Sequence, residues 1–363
     1  MKIAVTYSSK NGLLQEYRNR FSECREEWQM PEDLLAEGDS VETIRAVIGA
    51  LTQAGHHVRG VEADDSAMQR LKRIRPDLVF NIAEGLFGAF RESYIPMICE
   101  RLGLPYTGSD PLTLAICLDK ARTKEVLSHY GIRNPAFRRY EPFTQTEVDL
   151  SLLPGIIKPV CEGSSKGIYN SSVVRDRESA GCLIQEKLFK YQQPVILEKF
   201  LPGAEFTVAV WGNGENIQVL PIVEINYRDL PAQANPIYSY EAKWIWDRPE
   251  KPLNIFNCPA NISPDLRAGI EHLVLRTCKV LNVRDWCRID VRCDERDIPH
   301  ILEVNPLPGI LPNPEDNSCF PKAARTAGYG YQAMLEKILK IATLRTGLIH
   351  VIDRQQTEYI DRL

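Results

Sequence analysis

Apolar and polar positions alternate along the first part of the chain in a pattern that predicts short strands separated by helices. Lys2–Thr6 is an apolar run suited to a buried parallel strand, and His57–Val61 and Leu78–Ile82 are the next predicted strands. Between them, Ser40–Ala54 follows a Gly-Asp-Ser start signal with helical periodicity, and Ala67–Arg75 is also helical in pattern. This order is typical of a doubly wound parallel sheet, so the predicted fold class of this part is α/β.

The stretch Ser8–Glu37 interrupts this alternation with polar and charged residues. We expect a long loop with some helix there, and loops of this length in compact domains are often lids or binding segments. Further on, a helix carrying Asp119-Lys120 is predicted, followed by strands around Gly155–Pro159 and Val195–Phe200 with a glycine–serine loop between them.

Strand patterns dominate the remainder of the chain, so a third unit is expected to be rich in β-structure. Its predicted strands and helices are Phe206–Trp211, Ile217–Ile225, Arg288–Cys293 and His300–Val304, with helices at Pro264–Leu281 and Gln332–Thr346.

Composition narrows the class of protein without naming an activity. The 363 residues carry a formal net charge of −4, which gives no bias toward nucleic acid or membrane surfaces. No apolar run approaches the ~18–20 residues of a membrane-spanning helix. The N-terminus reads as a strand rather than a secretory signal, and we expect a cytoplasmic protein. The ten cysteines include no Cys-x-x-Cys pair, which favours structural thiols.

Two segments have features that suit a nucleotide. Lys158 precedes the loop Glu162–Gly167, whose glycines, backbone N–H groups and serine hydroxyls suit phosphate oxygens, although such loops are also common turns. A later strand carries Glu198 and leads to a turn with Glu205. These carboxylates could accept hydrogen bonds from an adenine amino group and a ribose hydroxyl; a solvated acidic turn is the alternative.

The strongest chemical signal lies in Arg288–Arg292 and Ile301–Asn305. Polar residues there recur at every second position, so they project from one face of a strand. Pairing of the two strands would bring Asp290, Glu303 and Asn305 together. Two carboxylates and an amide oxygen are hard ligands suited to magnesium, with nucleotide phosphates completing the shell, whereas a structural ion-pair network is the alternative.

These motifs together resemble the ATP-grasp superfamily, and most closely the D-alanine–D-alanine ligase family. The similarity runs from about Gly108 to Leu339. The matching stretches, in the family's order, are Thr107–Asp110, Leu118–Lys124, Glu162–Gly167, Glu198–Leu201, Tyr240–Lys243, Cys287–Val291 and Leu302–Gly309.

The resemblance implies an N-terminal α/β domain followed by a two-subdomain ATP-grasp fold of α+β type. The predicted boundaries are 1–116 for the N-terminal domain, 117–204 for the central ATP-binding subdomain and 205–346 for the C-terminal subdomain. A mobile lid is expected at about 227–257 and a tail at 347–363. ATP with Mg²⁺ or Mn²⁺ would lie between the two subdomains.

The resemblance also implies residue roles. Arg288, Ser164 and Lys243 are the catalytic candidates, with Arg288 stabilising an oxyanion together with backbone N–H groups near Gly309. The nucleotide-binding candidates are Lys120, Lys158, Glu162, Ser164, Ser165, Glu198, Lys199, Leu201, Glu205 and Lys243. Asp290, Glu303 and Asn305 would bind the metal ion, and Ser318 the carboxylate of the second substrate.

Departures from the family pattern concentrate where the first substrate would bind. The family's amine-binding glutamate is missing from its usual place, and the nearest acidic candidates are Asp39 and Glu42. A histidine-containing segment is replaced by Asn81–Glu92, which brings Glu84 as a substrate candidate. The tyrosine expected after the lid lysine is Trp244. Phe87, Phe90 and Arg91 suggest a larger or more acidic first substrate, unless the two aromatics pack a domain interface.

Three functions are therefore compared. The first is an ADP-forming carboxylate–amine ligase that acts through an acyl phosphate on small molecules other than two D-alanines. The second is a D-alanine–D-alanine ligase of cell-wall synthesis, and the third is a phosphotransferase or nucleotide-binding module without ligase activity. Amino acids are the expected substrates, no nucleic acid or membrane partner is expected, and the family suggests a homodimer.

Overall fold

A computed structural model describes residues 1–21, 30–142, 147–247 and 253–348. The N-terminal part contains a parallel sheet in the order β2-β1-β3, with Ala4 opposite both Arg59 and Val79. Its elements are β1 (Lys2–Tyr7), α1 (Lys10–Phe21), α2 (Val41–Gln53), β2 (His57–Glu62), α3 (Ala67–Ile74), β3 (Leu78–Asn81), α4 (Tyr94–Leu102) and α5 (Pro111–Leu118).

The central part folds around an antiparallel sheet in the order β4-β7-β5-β6. Its elements are α6 (Lys120–His129), β4 (Phe137–Tyr140), β5 (Gly155–Pro159), β6 (Val173–Val174), α7 (Arg177–Tyr191) and β7 (Val195–Lys199). The predicted helix through Asp119-Lys120 is corrected here, because α5 ends at Leu118 and α6 begins at Lys120. The Asp119 carboxylate accepts a hydrogen bond from Arg122 N at 2.9 Å, so it caps the new helix.

The C-terminal part is built on a six-stranded antiparallel sheet in the order β11-β10-β8-β12-β13, with β9 paired to β8. Its elements are β8 (Glu205–Gly212), β9 (Gln218–Val219), β10 (Val223–Ile225), a π-helical turn (Ala242–Trp246), β11 (Phe256–Asn257), α8 (Pro264–Val280), β12 (Asp285–Cys293), β13 (Pro299–Asn305), α9 (Cys319–Thr326) and α10 (Tyr331–Arg345).

One prediction about local structure needs correction and another gains detail. The stretch expected to be a long loop with some helix begins with α1, a twelve-residue helix that buries only Leu13 and Tyr17. Its apolar face is too narrow to stand out from the polar background. The single strand predicted over Ile217–Ile225 is divided into β9 and β10, because Pro221 between them has no N–H to donate to a ladder.

The largest hydrophobic core joins the first and last parts of the chain. Ile3 and Val5 of β1 pack with Val47 and Leu51 of α2, and the same core contains Leu335 of α10. A second core lies between α8 and the back of β12. Each of the three sheets lies within one predicted unit, and the division into domains itself stays a prediction. Within the described residues, no helix is long and apolar enough to cross a membrane.

Gly203 provides a test of the contact between the turn after β7 and the end of β12. A Cβ at this position would lie 2.6 Å from the carbonyl oxygen of Cys293 and 2.7 Å from that of Asp294. We expect Gly203→Ala to lower the free energy of unfolding by about 1–3 kcal/mol, because backbone must move to relieve the overlap.

Denaturant unfolding checks this expectation, and Gly269→Ala is the matched control. Gly269 lies in α8, where an added Cβ meets its nearest neighbour, Pro299 Cγ, at 3.9 Å. Alanine there should raise stability by up to about 1 kcal/mol, since it favours the helix. Equal stability of both variants would contradict the close approach at Gly203.

Candidate active site

A deep cleft separates the central sheet from the six-stranded sheet. It is lined by the predicted residues Asp39, Glu84, Lys158, Ser164, Ser165, Glu198, Lys199, Leu201, Glu205, Lys243, Arg288, Asp290, Glu303, Gly309 and Ser318. An adjoining smaller pocket shares Glu84, Arg288, Glu303 and Gly309 with the cleft, and it adds Lys120, Glu162 and Asn305. The structure thus brings these predicted site residues to one connected region, which does not include the alternative candidate Glu42, while their roles stay predictions.

Strands β12 and β13 position the acidic part of the cleft. They pair antiparallel, with Asp290 opposite Glu303 and Arg288 opposite Asn305. A register shift follows Asp290, so that Val291 faces Ile301 and Leu302 joins the cleft lining. Arg288 donates a hydrogen bond to Asp290 at 3.0 Å. Burial raises the pKa of Asp290, with the neighbouring Glu303 adding to this shift and Arg288 opposing it.

Lysines from α6 and β5 neutralise carboxylates on the opposite walls of the cleft. Lys120 lies 2.8 Å from Glu303. Burial alone would raise the pKa of Glu303, but Lys120 holds this pKa below its usual range. Glu198 is 1% exposed and lies 2.7 Å from Lys124 and 2.9 Å from Lys158. Its predicted contact with adenine would therefore compete with two buried lysines.

The ribose and adenine candidates lie along the edge between the two sheets. Glu205, at the start of β8, accepts a hydrogen bond from Arg292 at 2.6 Å. Lys199 ends β7 with an exposed side chain, and Leu201 follows it as a buried one. Apolar side chains from both sheets, including Ile156 and Leu302, line the same part of the cleft. Such a surface suits a flat aromatic ring.

The loop Glu162–Gly167, called the glycine–serine loop below, crosses the cleft in a strained conformation. Ser164 and Ser165 have φ values of 50° and 61°, in the left-handed region. Each such residue costs roughly 1 kcal/mol, which persists only where the surroundings hold it. Successive N–H groups in this kind of turn form an anion-binding concavity. No described residue accepts a hydrogen bond from either serine N–H.

The predicted lid lies against that loop. Ser165 Oγ donates to Tyr238 O at 2.7 Å, and Trp244 Nε1 donates to Ser164 O at 3.2 Å. The π-helical turn presents Lys243 to the cleft, where burial, and then the charge of Arg288, lower the pKa of Lys243. Residues 248–252 of the predicted lid lie outside the described residues.

A charged cluster forms the wall nearest the N-terminal part. Arg91, 8% exposed, lies 3.0 Å from Glu37 and 3.3 Å from Glu162. Glu84 and Glu92 line the small pocket without an ion pair or side-chain hydrogen bond to any described residue. Burial raises the pKa of Glu92 to about 7. Burial also raises the pKa of Glu84 well above its usual value, and Glu37 and Glu92 add to that shift.

Of the two candidate amine-binding carboxylates, Asp39 and Glu42, only Asp39 lies in the cleft. Asp39 lines the cleft and accepts a hydrogen bond from Ser8 N at 3.0 Å, and burial raises its pKa to about 7. Glu42 is exposed on α2 and lines neither the cleft nor the small pocket.

Glu37 was not predicted as a site residue, yet it is 7% exposed and lines both the cleft and the small pocket. Its position between the apolar residues 34–36 and the start of α2 was the available signal.

The aromatic residues of the altered segment do not form a substrate pocket. Phe87 packs against Tyr17 and Phe21 at centroid distances of 6.3 Å and 5.8 Å, and Phe90 is 65% exposed. Ser318 precedes α9 and donates to Gly309 O at 3.1 Å, so a substrate carboxylate there would compete with this bond.

Comparison with known proteins identifies the family. A family model described as the D-Ala–D-Ala ligase C-terminus matches residues 126–340. A D-alanine–D-alanine ligase of Glaesserella parasuis is 34% identical over 307 residues, covering 84% of this chain and 93% of that protein. The chain belongs to the D-alanine–D-alanine ligase family. The expectation of an ATP-dependent, ADP-forming ligase with an ATP-grasp fold is confirmed by this membership.

Other similar proteins cover the chain to a similar extent. The D-alanine–D-alanine ligase B of Chromobacterium violaceum is 33% identical over 81% of this chain and 89% of its own length. An uncharacterized protein of Sinorhizobium fredii is 30% identical over 95% of this chain and 98% of its own length. A crystal structure of the Bacillus anthracis D-alanine–D-alanine ligase complexed with ATP has a TM-score of 0.69 at 20% identity, covering 96% and 99% of the two chains.

The residues that this family would use for a divalent metal ion fit such an ion chemically. Asp290 and Glu303 are half-buried like charges on facing strands, an arrangement that a cation stabilises. No described residue donates a hydrogen bond to the amide oxygen of Asn305, whose nitrogen lies 3.4 Å from Asp290. The described residues contain no cluster of three or more His, Cys, Asp or Glu side chains arranged for a metal. Nucleotide phosphates would therefore supply the remaining ligands.

Replacement of Glu303 tests this site. We expect Glu303→Gln to raise the Mg²⁺ concentration needed for half-maximal activity by at least about tenfold, because one charged ligand is lost. The measurement is ADP release as a function of Mg²⁺ concentration at saturating ATP. Glu295→Gln is the matched control, since Glu295 lies exposed in the turn between the same two strands. A Glu303→Gln variant with the Mg²⁺ dependence of the unmodified protein would remove Glu303 from the metal site.

Proposed function

We propose that this protein is an ATP- and Mg²⁺-dependent ligase that joins a small carboxylic acid to an amine through an acyl phosphate. We further propose that its first substrate is an amino acid with an additional cationic group, rather than D-alanine. The observation that carries the second part is the pair Glu84 and Glu92, which line the pocket without an ion pair to any described residue.

The charged residues around the small pocket favour a cationic substrate. Five glutamates line it: Glu37, Glu84, Glu92, Glu162 and Glu303. Arg91 lies 3.0 Å from Glu37, Lys166 2.9 Å from Glu162 and Lys120 2.8 Å from Glu303, so no ion pair among the described residues includes Glu84 or Glu92. Leaving two carboxylates without a partner in a closed site is costly, and an ammonium or guanidinium group would remove that cost.

The same contacts remove the reason to expect a more acidic substrate. That expectation depended on Arg91 being available to bind a second carboxylate. Its guanidinium is buried between Glu37 and Glu162, so it is not free to bind a second substrate carboxylate. The aromatic residues give no support to a larger apolar substrate, because Phe90 is exposed and Phe87 packs away from the pocket.

The chemistry proceeds in two transfers. A carboxylate oxygen attacks the γ-phosphorus of ATP, the bond from that phosphorus to the bridging oxygen breaks, and ADP leaves. An amine nitrogen then attacks the acyl carbon, and phosphate leaves as the amine loses its proton. Arg288 and the N–H of Gly309 would stabilise the oxyanion between these events, which is an electrostatic task. A bound Mg²⁺ supplies positive charge to the phosphate oxygens.

Other residues bind and protect the reactants. Lys120, Lys158 and Lys243 would contact phosphate oxygens, and Ser164 and Ser165 would donate their N–H groups. The lid, which already packs on the glycine–serine loop through Tyr238 and Trp244, would exclude water from the acyl phosphate. The homodimer suggested by the family remains part of this proposal.

A substrate panel tests the proposal against D-alanine–D-alanine ligation, the activity in the names of several relatives. ADP release would be measured with D-alanine, with neutral and dicarboxylic amino acids, and with diamino or guanidino acids, and each product identified by mass. We expect kcat/KM for a cationic acid to exceed that for D-alanine by about tenfold or more, the scale of one additional ion pair of about 1.4 kcal/mol.

Glu84→Gln should reduce this preference, while Glu100→Gln, an exposed carboxylate on α4, should leave it unchanged. Efficient D-alanyl-D-alanine formation, at kcat/KM above about 10⁴ M⁻¹s⁻¹, would refute the substrate proposal. A phosphorylated product without a new amide bond would instead indicate a phosphotransferase.

Substitution of the two arginines of β12 tests the assignment of the oxyanion. We expect Arg288→Lys to lower kcat by about 10²–10³ with a near-normal KM for ATP, since lysine lacks the planar, forked donor geometry. Arg292→Lys is the matched comparison, because Arg292 bonds the predicted ribose ligand Glu205 and should mainly raise KM for ATP. A near-normal kcat with a raised KM for ATP in Arg288→Lys would instead mean that Arg288 binds the nucleotide.

A further inference from the structure

The glycine–serine loop is held at both ends by a segment of the N-terminal part, residues 31–38. Glu37 Oε1 accepts a hydrogen bond from Gly163 N at 2.6 Å. Asp33 Oδ2 accepts one from Gly167 N at 2.8 Å. Both carboxylates are buried, at 7% and 1% exposure, so these bonds are shielded from water.

Asp33 sits at the centre of a network that reaches beyond the loop. Its Oδ2 also accepts hydrogen bonds from Tyr191 at 2.7 Å and from Tyr169 at 3.2 Å. Lys187, which is 2% exposed, donates to the carbonyl oxygen of Gly167. The carboxylate and the ammonium group thus bond the N–H and the C=O of the same glycine. Gly167 has a φ of +73°, a conformation that glycine adopts without steric cost, and these two bonds fix its peptide groups in place.

Both ends of the glycine–serine loop are hydrogen-bonded to carboxylates, which leaves two backbone N–H donors available in its middle. Because Gly163 N and Gly167 N bond carboxylates, neither can bind an anion. Lys166 N is used within the loop, bonding Gly163 O at 2.8 Å. The N–H groups of Ser164 and Ser165 remain without a described acceptor, and both serines line the cleft. Their strained backbone would relax if the ends were released.

We propose that Asp33 is a positioning residue for the ligase reaction. It holds the end of the glycine–serine loop so that the N–H groups of Ser164 and Ser165 stay available to nucleotide phosphates. The proposal rests on the nucleotide role proposed above for that loop. Its neighbour Glu32 accepts a hydrogen bond from Tyr240 of the lid at 3.3 Å, so the same segment also bonds the lid over the loop.

Nothing in the nearby sequence of the loop marks Asp33 for this role. It lies 134 residues from Gly167 along the chain, in the polar stretch Ser8–Glu37. Glu37, four residues later, also lines the first-substrate pocket. Residues 31–38 therefore connect the wall of that pocket to the loop proposed to bind ATP.

Asp33→Asn tests the proposal with the full-length protein. The amide keeps the shape of the side chain but replaces charge-assisted hydrogen bonds with neutral ones, which are about half as strong. We expect the Kd for Mg²⁺-ATP, measured by calorimetry, and the KM for ATP to rise by about tenfold. The KM for the amino acid substrates and kcat should change by less than about threefold, since no reacting group is altered.

Asp285→Asn is the matched control for loss of a buried carboxylate. Asp285 is 0% exposed and also accepts a glycine N–H, that of Gly108 at 2.9 Å, but it lies away from the loop and pairs with Arg345. This variant should lose thermal stability and keep its affinity for ATP. If Asp33→Asn does not fold, Tyr191→Phe removes one hydrogen bond from Asp33 and should raise the Kd for ATP by about threefold.

The outcomes separate this proposal from the proposed function. Unchanged ATP affinity in Asp33→Asn, with a loss of stability like that of Asp285→Asn, would make Asp33 purely structural and overturn the inference. ATP binding by the unmodified protein without any ligated product would refute the proposed function, while the comparison of ATP affinities would still test Asp33. Absence of ATP binding in the unmodified protein would refute both.

Discussion

Strand β12 is hydrogen-bonded on both sides, by β8 and by β13, and this double pairing determines where Arg288 and Asp290 lie relative to Glu303 and Asn305. Cys287, Ile289 and Val291 are fully buried against α8. Arg288 and Asp290 must then project from the opposite face into the cleft. A slip of one residue would turn the charges into the core and the apolar residues out. Core packing therefore secures a set of charges that would not stabilise one another.

Buried charge explains much of the remaining architecture. Each carboxylate near the cleft either has a lysine or arginine partner, as Glu198 and Glu303 do, or has a raised pKa, as Glu84 and Glu92 do. Removing one partner of a buried pair is far more costly than losing an exposed pair. Ion pairs between the central part and the other two, such as Arg91 with Glu162, consequently link substrate recognition to the relative position of the sheets.

The sequence predicted the strands of the site well because their alternation is local. The period of two in Arg288–Arg292 and Ile301–Asn305 gave the correct facing residues, apart from the irregularity that brings Leu302 into the cleft. The contacts of Glu37 were not predictable in this way, because Arg91 and Gly163 lie 54 and 126 residues away. The bounds of helix α1 were not predicted either, since only Leu13 and Tyr17 mark its buried side. The alternation of polar and apolar residues predicts which face of a strand a side chain lies on. The residues that it contacts are determined by the tertiary fold.

The core shared by β1, α2 and α10 has a consequence for synthesis on the ribosome. Ile3 and Val5 are translated long before Leu335 and Ile338 of α10, which lie in the same core. Nascent chains usually complete their domains from the N-terminus. Here the part of the first core that α10 covers stays uncovered until α10 has been translated, although Val47 and Leu51 of α2 already pack there. During that interval we expect chaperones to bind this apolar surface. Chains truncated before α10 should aggregate because the surface stays exposed.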